Sequence, residues 1–199
     1  LRTHMKTTLN RTYFLILFGI GLFSLSAQTL RLNQKLSNMT IHGTTNVHNF
    51  EIPVTQIVGE ITLSGANQVQ GLTLTIPVKS LKSKEKLMNN KTHEAFNAET
   101  HPNITFRLIE VNALEFNGND PVATVTGNLT MNGTTKRVTL KSAGKNISNG
   151  AYQFKGNVAL KMSDFKMKAP TAMMGVMKVG DGVTLKYDVT FEGHQFQSK

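Results

Sequence analysis

From residue 28 onward, apolar and polar side chains alternate one by one along most of the chain. The stretch "GLTLTIPVK" (71–79) sets Leu72, Leu74, Ile76 and Val78 on one side, with Thr73, Thr75 and Lys79 on the other. In "AYQFKGNVALKM" (151–162) the apolar side holds Tyr152, Phe154, Val158, Leu160 and Met162. In "VTLKYDVTF" (183–191) it holds Val183, Leu185, Tyr187, Val189 and Phe191. Shorter stretches near 39–43, 47–54, 57–63, 104–111 and 122–131 follow the same rule. Successive side chains of a strand point to opposite faces, so each segment predicts a strand with one greasy and one wet face. Such alternation marks antiparallel sheet, because strands buried on both faces read as continuous apolar runs. Turn-forming clusters separate the segments: "SGANQVQG" (64–71), "NGNDP" (117–121), "NGTTK" (132–136), "NISNG" (146–150) and "GDG" (180–182). Eight or nine closely spaced strands predict a sandwich or an up-and-down barrel.

The stretch "LTMNGTTKRVTL" (129–140) narrows the geometry. Asn132-Gly133 is a strong hairpin signal, since both residues tolerate positive φ. A two-residue turn sets Met131 opposite Thr134 and Gly127 opposite Val138; a four-residue turn sets Leu129 opposite Val138. Either register keeps Leu129, Met131, Val138 and Leu140 on one face, whereas a three-residue turn splits them. The greasy face must then meet a packed core, a second sheet or a cavity.

Two connections are too long to be plain turns. Residues 80–103 lack strand alternation and are rich in Lys, Glu and Ala. They predict one or two short helices, broken at Asn89-Asn90, with Thr92 capping the second. Residues 163–182 follow a crowd of methionines, Met162, Met167, Met173, Met174 and Met177. Thioethers suit Cu(I), but they are also adaptable apolar filler. Ala169, Pro170, Ala172 and Val176 sit among them. That company favours a greasy flap over a ligand array.

The start of the chain reads differently. Lys6 and Arg11 follow Met5, then comes the apolar run "YFLILFGIGLFSL" (13–25) and the small residues of "SAQ". A basic start, a short apolar run and small residues at its end define a secretory signal peptide. Residues 1–27 are therefore expected to be that leader, starting at Met5, with a single domain over 28–199. Export to the periplasm or beyond follows. Removing Arg2, Lys6 and Arg11 with the leader leaves 19 basic against 12 acidic residues, a net charge of +7. The lysines are scattered and not interleaved with aromatics, which argues against a nucleic-acid partner. They fit solubility and attraction to an anionic membrane surface. With no cysteine in the sequence, disulfides, a thiol nucleophile and cysteine-based metal sites are excluded.

Catalytic signatures are missing as well. There is no G-x-S-x-G elbow, P-loop, H-E-x-x-H or glycine-rich dinucleotide fingerprint. The carboxylates are dispersed, and the spacing of His42, His48, His93 and His101 matches no strong metal pattern.

Four stretches in order resemble one family: "MTIHGTTNVHNFE" (39–51), "SLKSKEKLMNNKTHEAFNAETHPNITF" (80–106), "VTGNLTMNGTTKRVTL" (125–140) and "VGDGVTLKYDVTFEG" (179–193). They are similar to the YceI-like, polyisoprenoid-binding family of exported bacterial proteins. The resemblance implies an all-β, antiparallel, eight-stranded, lipocalin-like β-barrel with short helical segments near its mouth. It also implies no catalytic residues, no cofactor beyond a bound isoprenoid or quinone as ligand, and often a homodimer. It departs from many relatives at Lys166, which stands where they carry Gly after an Asp-Phe pair.

Together these readings predict a non-enzymatic carrier of a long apolar chain. The expected lumen wall is Leu74, Ile76, Phe106, Leu108, Leu129, Phe154, Leu160, Tyr187 and Phe191, with Met173, Met174 and Met177 as the mouth flap. The rival reading is a secreted interaction module whose barrel is packed solid. A third is an enzyme acting on lipids at the mouth. An eight-stranded barrel is just narrow enough to be filled by its own side chains and just wide enough for one ligand, so alternation cannot choose.

Overall fold

The alternating segments form one antiparallel sheet that curls until its edges meet. In this computed structural model, residues 28–64, 68–148 and 150–193 are described; the expected leader lies outside them. The strands are β1 (Gln28–Leu32), β2 (Asn38–Thr45), β3 (Asn49–Pro53), β4 (Val58–Ser64), β5 (Gln68–Pro77) and β6 (Asn103–Asn117). They continue with β7 (Asp120–Met131), β8 (Thr134–Ser148), β9 (Ala151–Lys161), the two-residue β10 (Thr171–Ala172) and β11 (Met177–Gly193). One α-helix, α1 (Lys86–Ala95), interrupts them.

The ring has eight wall positions. β1 and β2 lie in tandem along β11, with Leu32 opposite Phe191 and Met39 opposite Tyr187. Likewise β4 pairs β1 while β3 pairs β2, so β3 and β4 make one bent second wall. From β4 each strand then pairs its successor through β5, β6, β7, β8, β9 and β11. Pairing of β11 with β1 closes the ring. The result is a closed, eight-stranded, up-and-down antiparallel barrel of lipocalin-like form. Closure leaves no long unpaired edge to template aggregation.

The break between β1 and β2 is chemically specified. Asn33 caps a single turn at 34–36, its Oδ1 accepting from the amides of Lys35 and Leu36. That turn covers the outside of β11, where Thr190 donates to the Leu36 carbonyl and is almost fully buried.

The 129–140 hairpin takes the two-residue register, with Met131 opposite Thr134 and Gly127 opposite Val138. Asn132 and Gly133 have φ of 48° and 67°, as this tight turn requires. Its greasy face looks into the barrel.

Three expectations are corrected. The 80–103 connection forms one helix that runs through Asn89-Asn90, and Thr92 is buried inside it, not capping it. Asn89 does not break the helix because its side chain bonds outward to the preceding loop. Its Oδ1 accepts from the Ser83 amide and hydroxyl, and its Nδ2 donates to the Ser83 carbonyl. Gly180-Asp181-Gly182 is not a turn; it is a bulge inside β11, between the pairs at Val179 and Val183. The strand β1 was not foreshadowed by any alternating segment, and β6 extends to Asn117 across two register shifts.

Curvature this tight requires the inner face to give up side chains at chosen points. Gly156 lies directly opposite Tyr187, and Gly43 directly opposite Phe50. In each pair the ring lies across the glycine, so a Cβ there would collide with it. Gly156→Ala is therefore expected to lower stability by about 1–3 kcal/mol, because overpacking forces neighbours off their minima. Its methyl would meet both the Tyr187 hydroxyl and the Lys141 carbonyl, the latter at 2.5 Å. Denaturant unfolding should show a smaller penalty in a Tyr187→Phe background but not a vanishing one, since the carbonyl remains.

Candidate functional site

The barrel is not packed solid. Its lumen holds two apolar cavities that lie end to end. The outer one, about 190 Å³, sits under the mouth between α1, the β2–β3 hairpin, the 162–172 segment and the start of β11. The inner one, about 140 Å³, lies deeper, among the inward faces of β4 to β9 and β11. Ile76, Ile104, Leu129 and Leu185 line both. Ile76 and Ile104 face each other across β5 and β6. Each cavity is comparable in volume to the apolar void of roughly 150 Å³ that accepts a benzene-sized guest. A linear apolar chain could pass from one to the other only across these four side chains.

The inner cavity carries only two polar side chains, Ser142 and Tyr187. They satisfy each other: their hydroxyls lie 2.9 Å apart, and the Tyr187 hydroxyl donates to the Lys141 carbonyl at 3.1 Å. Nothing polar is left to hold water or fix a head group at this depth. Burial pushes the Tyr187 phenol above its ordinary value, partly offset by Ser142. Phe154 and Phe191 meet edge to face, ring centres 6.4 Å apart, on the wall of this cavity.

The outer cavity changes character toward solvent. Ile52, Val54, Met88, Phe96, Met162 and Met167 make an apolar wall, while Thr45, His48, Glu85, Lys91, Lys161 and Thr171 stand among its lining residues. Three hydrogen-bonded clasps hold the rim. Asn132 of the hairpin turn accepts from Asn97 at 2.6 Å and donates to the carbonyls of Phe165 and Lys166, joining the helix connection to the 162–166 turn. Asp181, aimed by the β11 bulge, accepts from the amide and hydroxyl of Ser163 at 2.8 and 2.6 Å. Those two bonds hold its carboxyl below the usual carboxylate range. Asn46 donates to the Val176 carbonyl and accepts from the Lys178 amide, tying the β2–β3 turn to the start of β11. Lys166 ends its turn in left-handed backbone, φ 55°, the conformation that glycine adopts without strain.

Of the residues expected at the wall, Leu74, Ile76, Phe106, Leu129, Phe154, Tyr187 and Phe191 line the inner cavity. Leu160 and Met177 line the outer one. Leu108 lines neither, and Met173 and Met174 stand at the rim pointing to solvent. Sequence reasoning passed over Ile104 and Leu185, although they share parity with Phe106 and Tyr187. It also passed over Phe50, Ile52, Met88 and Phe96, whose position at the mouth depends on how the helix folds back over the barrel. The histidines go to separate places. His42 faces Glu51 at 3.2 Å, His93 contacts the Leu81 carbonyl at 3.0 Å, and the His101 ring packs over Gly133. Among the described residues no three His, Asp or Glu side chains converge as metal ligands would.

A closed up-and-down barrel with an apolar lumen, opened at one end beneath a helix and loops, defines the lipocalin-like class of binding folds. Comparison with known proteins specifies the family. The YceI-like domain model matches residues 30–191, and the chain belongs to the YceI-like family. A UPF0312 protein of Pseudomonas paraeruginosa is 39% identical over 83 residues, a match covering 39% of this chain and 41% of that relative. The chain thus spans about two fifths of the length of the curated relatives it matches. Among solved structures, BcnA of Burkholderia cenocepacia is similar at 22% identity with a TM-score of 0.64, over 80% of this chain and 98% of that one. A polyisoprenoid-binding domain from Saccharophagus degradans is similar at 14% identity with a TM-score of 0.65, over 85% and 99%. The YCEI protein of Campylobacter jejuni is similar at 20% identity with a TM-score of 0.56, over 96% and 99%. These likenesses show the fold.

The buried phenol gives a pH test of the inner wall. Because the folded protein keeps the Tyr187 proton to higher pH than the unfolded chain, its contribution is intact below about pH 10 and is lost as pH rises through the folded value. Tyr187→Phe should be less stable than the parent by about 1 kcal/mol at neutral pH, from the lost hydrogen bonds. Above about pH 10 the gap between the two should narrow in denaturant melts. A gap that stays constant would mean the phenol titrates normally.

Proposed function

We propose that this protein is a non-enzymatic carrier that takes the long apolar chain of an isoprenoid, or of a similar lipid or quinone, into its barrel. The observation that carries the reading is the end-to-end arrangement of two largely apolar cavities sharing Ile76, Ile104, Leu129 and Leu185. A compact guest would be served by one cavity; two in line suit a linear one. Affinity would come from burial, at about 0.8 kcal/mol per CH₂, reduced by the cost of ordering the chain. The proposal assigns no chemistry to the guest. The structural neighbour described as a polyisoprenoid-binding domain lends support to the ligand class. The leader-like residues 1–27 support export, and the family resemblance adds the bacterial envelope and a homodimer to the proposal.

The two-cavity arrangement makes affinity a function of chain length. For a series of isoprenoid alcohols of rising length, thermal stabilisation should keep growing past the length that fills the outer cavity, since binding to the folded state raises its stability. Leu185→Phe, which narrows the junction, should make the gain level off at a shorter chain while leaving the ligand-free melting temperature nearly unchanged. Stabilisation that ignores length would confine the guest to one cavity, and none with any chain would argue for a barrel that carries no guest.

A further inference from the structure

The open end of the barrel carries exposed apolar side chains that no described residue covers. Val47 at the β2–β3 turn is 66% exposed, Leu87 on the first turn of α1 is 59%, and Val176 before β11 is 69%. Met173 is exposed to a similar degree, 68%, and Met174 fully. These residues belong to one rim. Asn46 binds the backbone at Val176 and Lys178, which sets Val47 beside the 173–176 turn. Leu87 lines the same mouth as His48, Ala172 and Met177. Single exposed apolar residues are ordinary, but a group on separate loops around one opening marks a contact surface.

Two further observations say what it contacts. Met173 and Met174 both hold left-handed backbone, φ 53° and 55°. Side chains other than glycine rarely adopt that conformation, and its strain here keeps two thioethers pointing outward. Around them the charge is predominantly positive. Lys84, Lys86, Lys161, Lys168 and Lys178 are exposed about the mouth, against the exposed Glu85 and Asp164. Of the other nearby carboxylates, Glu94 pairs with Lys91, whereas Asp181 accepts from Ser163 and still carries its negative charge. Apolar tips flanked by lysines are the arrangement that enters the head-group region of an anionic membrane. Among the described residues no helix is long and apolar enough to cross one.

We propose that the mouth rim docks on an anionic lipid bilayer, with Val47, Leu87, Met173, Met174 and Val176 entering the interface and the rim lysines facing the head groups. The inference rests on the carrier reading in one respect: a bilayer is where a long apolar chain is collected or delivered. Docking mouth-down would let the chain pass from lipid to lumen without crossing water.

Co-sedimentation with vesicles tests it directly. The protein should bind phosphatidylglycerol vesicles, bind phosphatidylcholine vesicles more weakly, and lose binding as salt is added. The triple variant Val47→Ser, Met173→Asn, Met174→Asn should bind phosphatidylglycerol vesicles about tenfold or more weakly. Its melting temperature should not fall, because all three side chains are exposed and Asn tolerates left-handed backbone. Uptake of a fluorescent long-chain fatty acid in vesicle-free solution, measured on both proteins, reads the carrier function separately. Probe uptake without vesicle binding would overturn the docking surface and leave the carrier; vesicle binding without uptake would do the reverse. Equal vesicle binding by parent and variant would overturn the assignment of the surface. So would a dimer that the same substitutions abolish, in a parent that ignores vesicles, because the rim would then fit a second copy.

Discussion

The structure depends on glycine facing an aromatic ring across the inner side of the barrel. Eight strands closed into a ring leave an interior that large side chains standing upright could fill. Here several do not stand upright. Phe50 lies over Gly43, Phe106 over Gly127, and Tyr187 over Gly156, each where a Cβ would have blocked it. Laying a ring against the wall covers the bare backbone of the glycine, so the ring lines the lumen without filling its centre. The same pairs thus relieve the curvature of the sheet and keep space at its centre. A barrel with alanine or valine at those positions would have to push its rings inward.

That constraint links fold to function. The lumen is lined by aliphatic side chains together with the rings of Phe106, Phe154, Tyr187 and Phe191, and it is divided by the shared belt of Ile76, Ile104, Leu129 and Leu185. The only hydroxyls at depth are bonded to each other and to a backbone carbonyl. Polar groups return only toward the mouth, where Lys91, Lys161 and His48 stand. The gradient from dry interior to charged rim suits a guest with an apolar tail and a polar end. It also suits the membrane in which such a guest resides.

Much of this was legible in the residue order, and the failures are instructive. Period-two alternation located nearly all the wall, and Asn132-Gly133 left two registers open, of which the hairpin takes the two-residue one. What pattern could not reveal was set by tertiary partners. Gly180-Asp181-Gly182 reads as a turn until Ser163 is known to bind Asp181 across the rim. Asn89-Asn90 reads as a break until Ser83 takes the Asn89 amide. The far half of β6 was lost because its register shifts near Ile109 and Asn112 change the parity, so Leu108, Val111 and Leu114 do not alternate. Composition groups Met173 and Met174 in a mouth flap, whereas both are exposed and line neither cavity, in a backbone conformation that no pattern encodes. The glycine–ring pairs needed the strand register before either partner could be recognised.

The central claim is that the two cavities serve a single chain. A crystal structure of the protein saturated with a long isoprenoid tests it most directly. The account predicts one continuous tail running from the mouth past Leu129 and Leu185 to the Phe154–Phe191 pair. A guest confined to the outer cavity, with the inner one collapsed or filled by side chains, would contradict it.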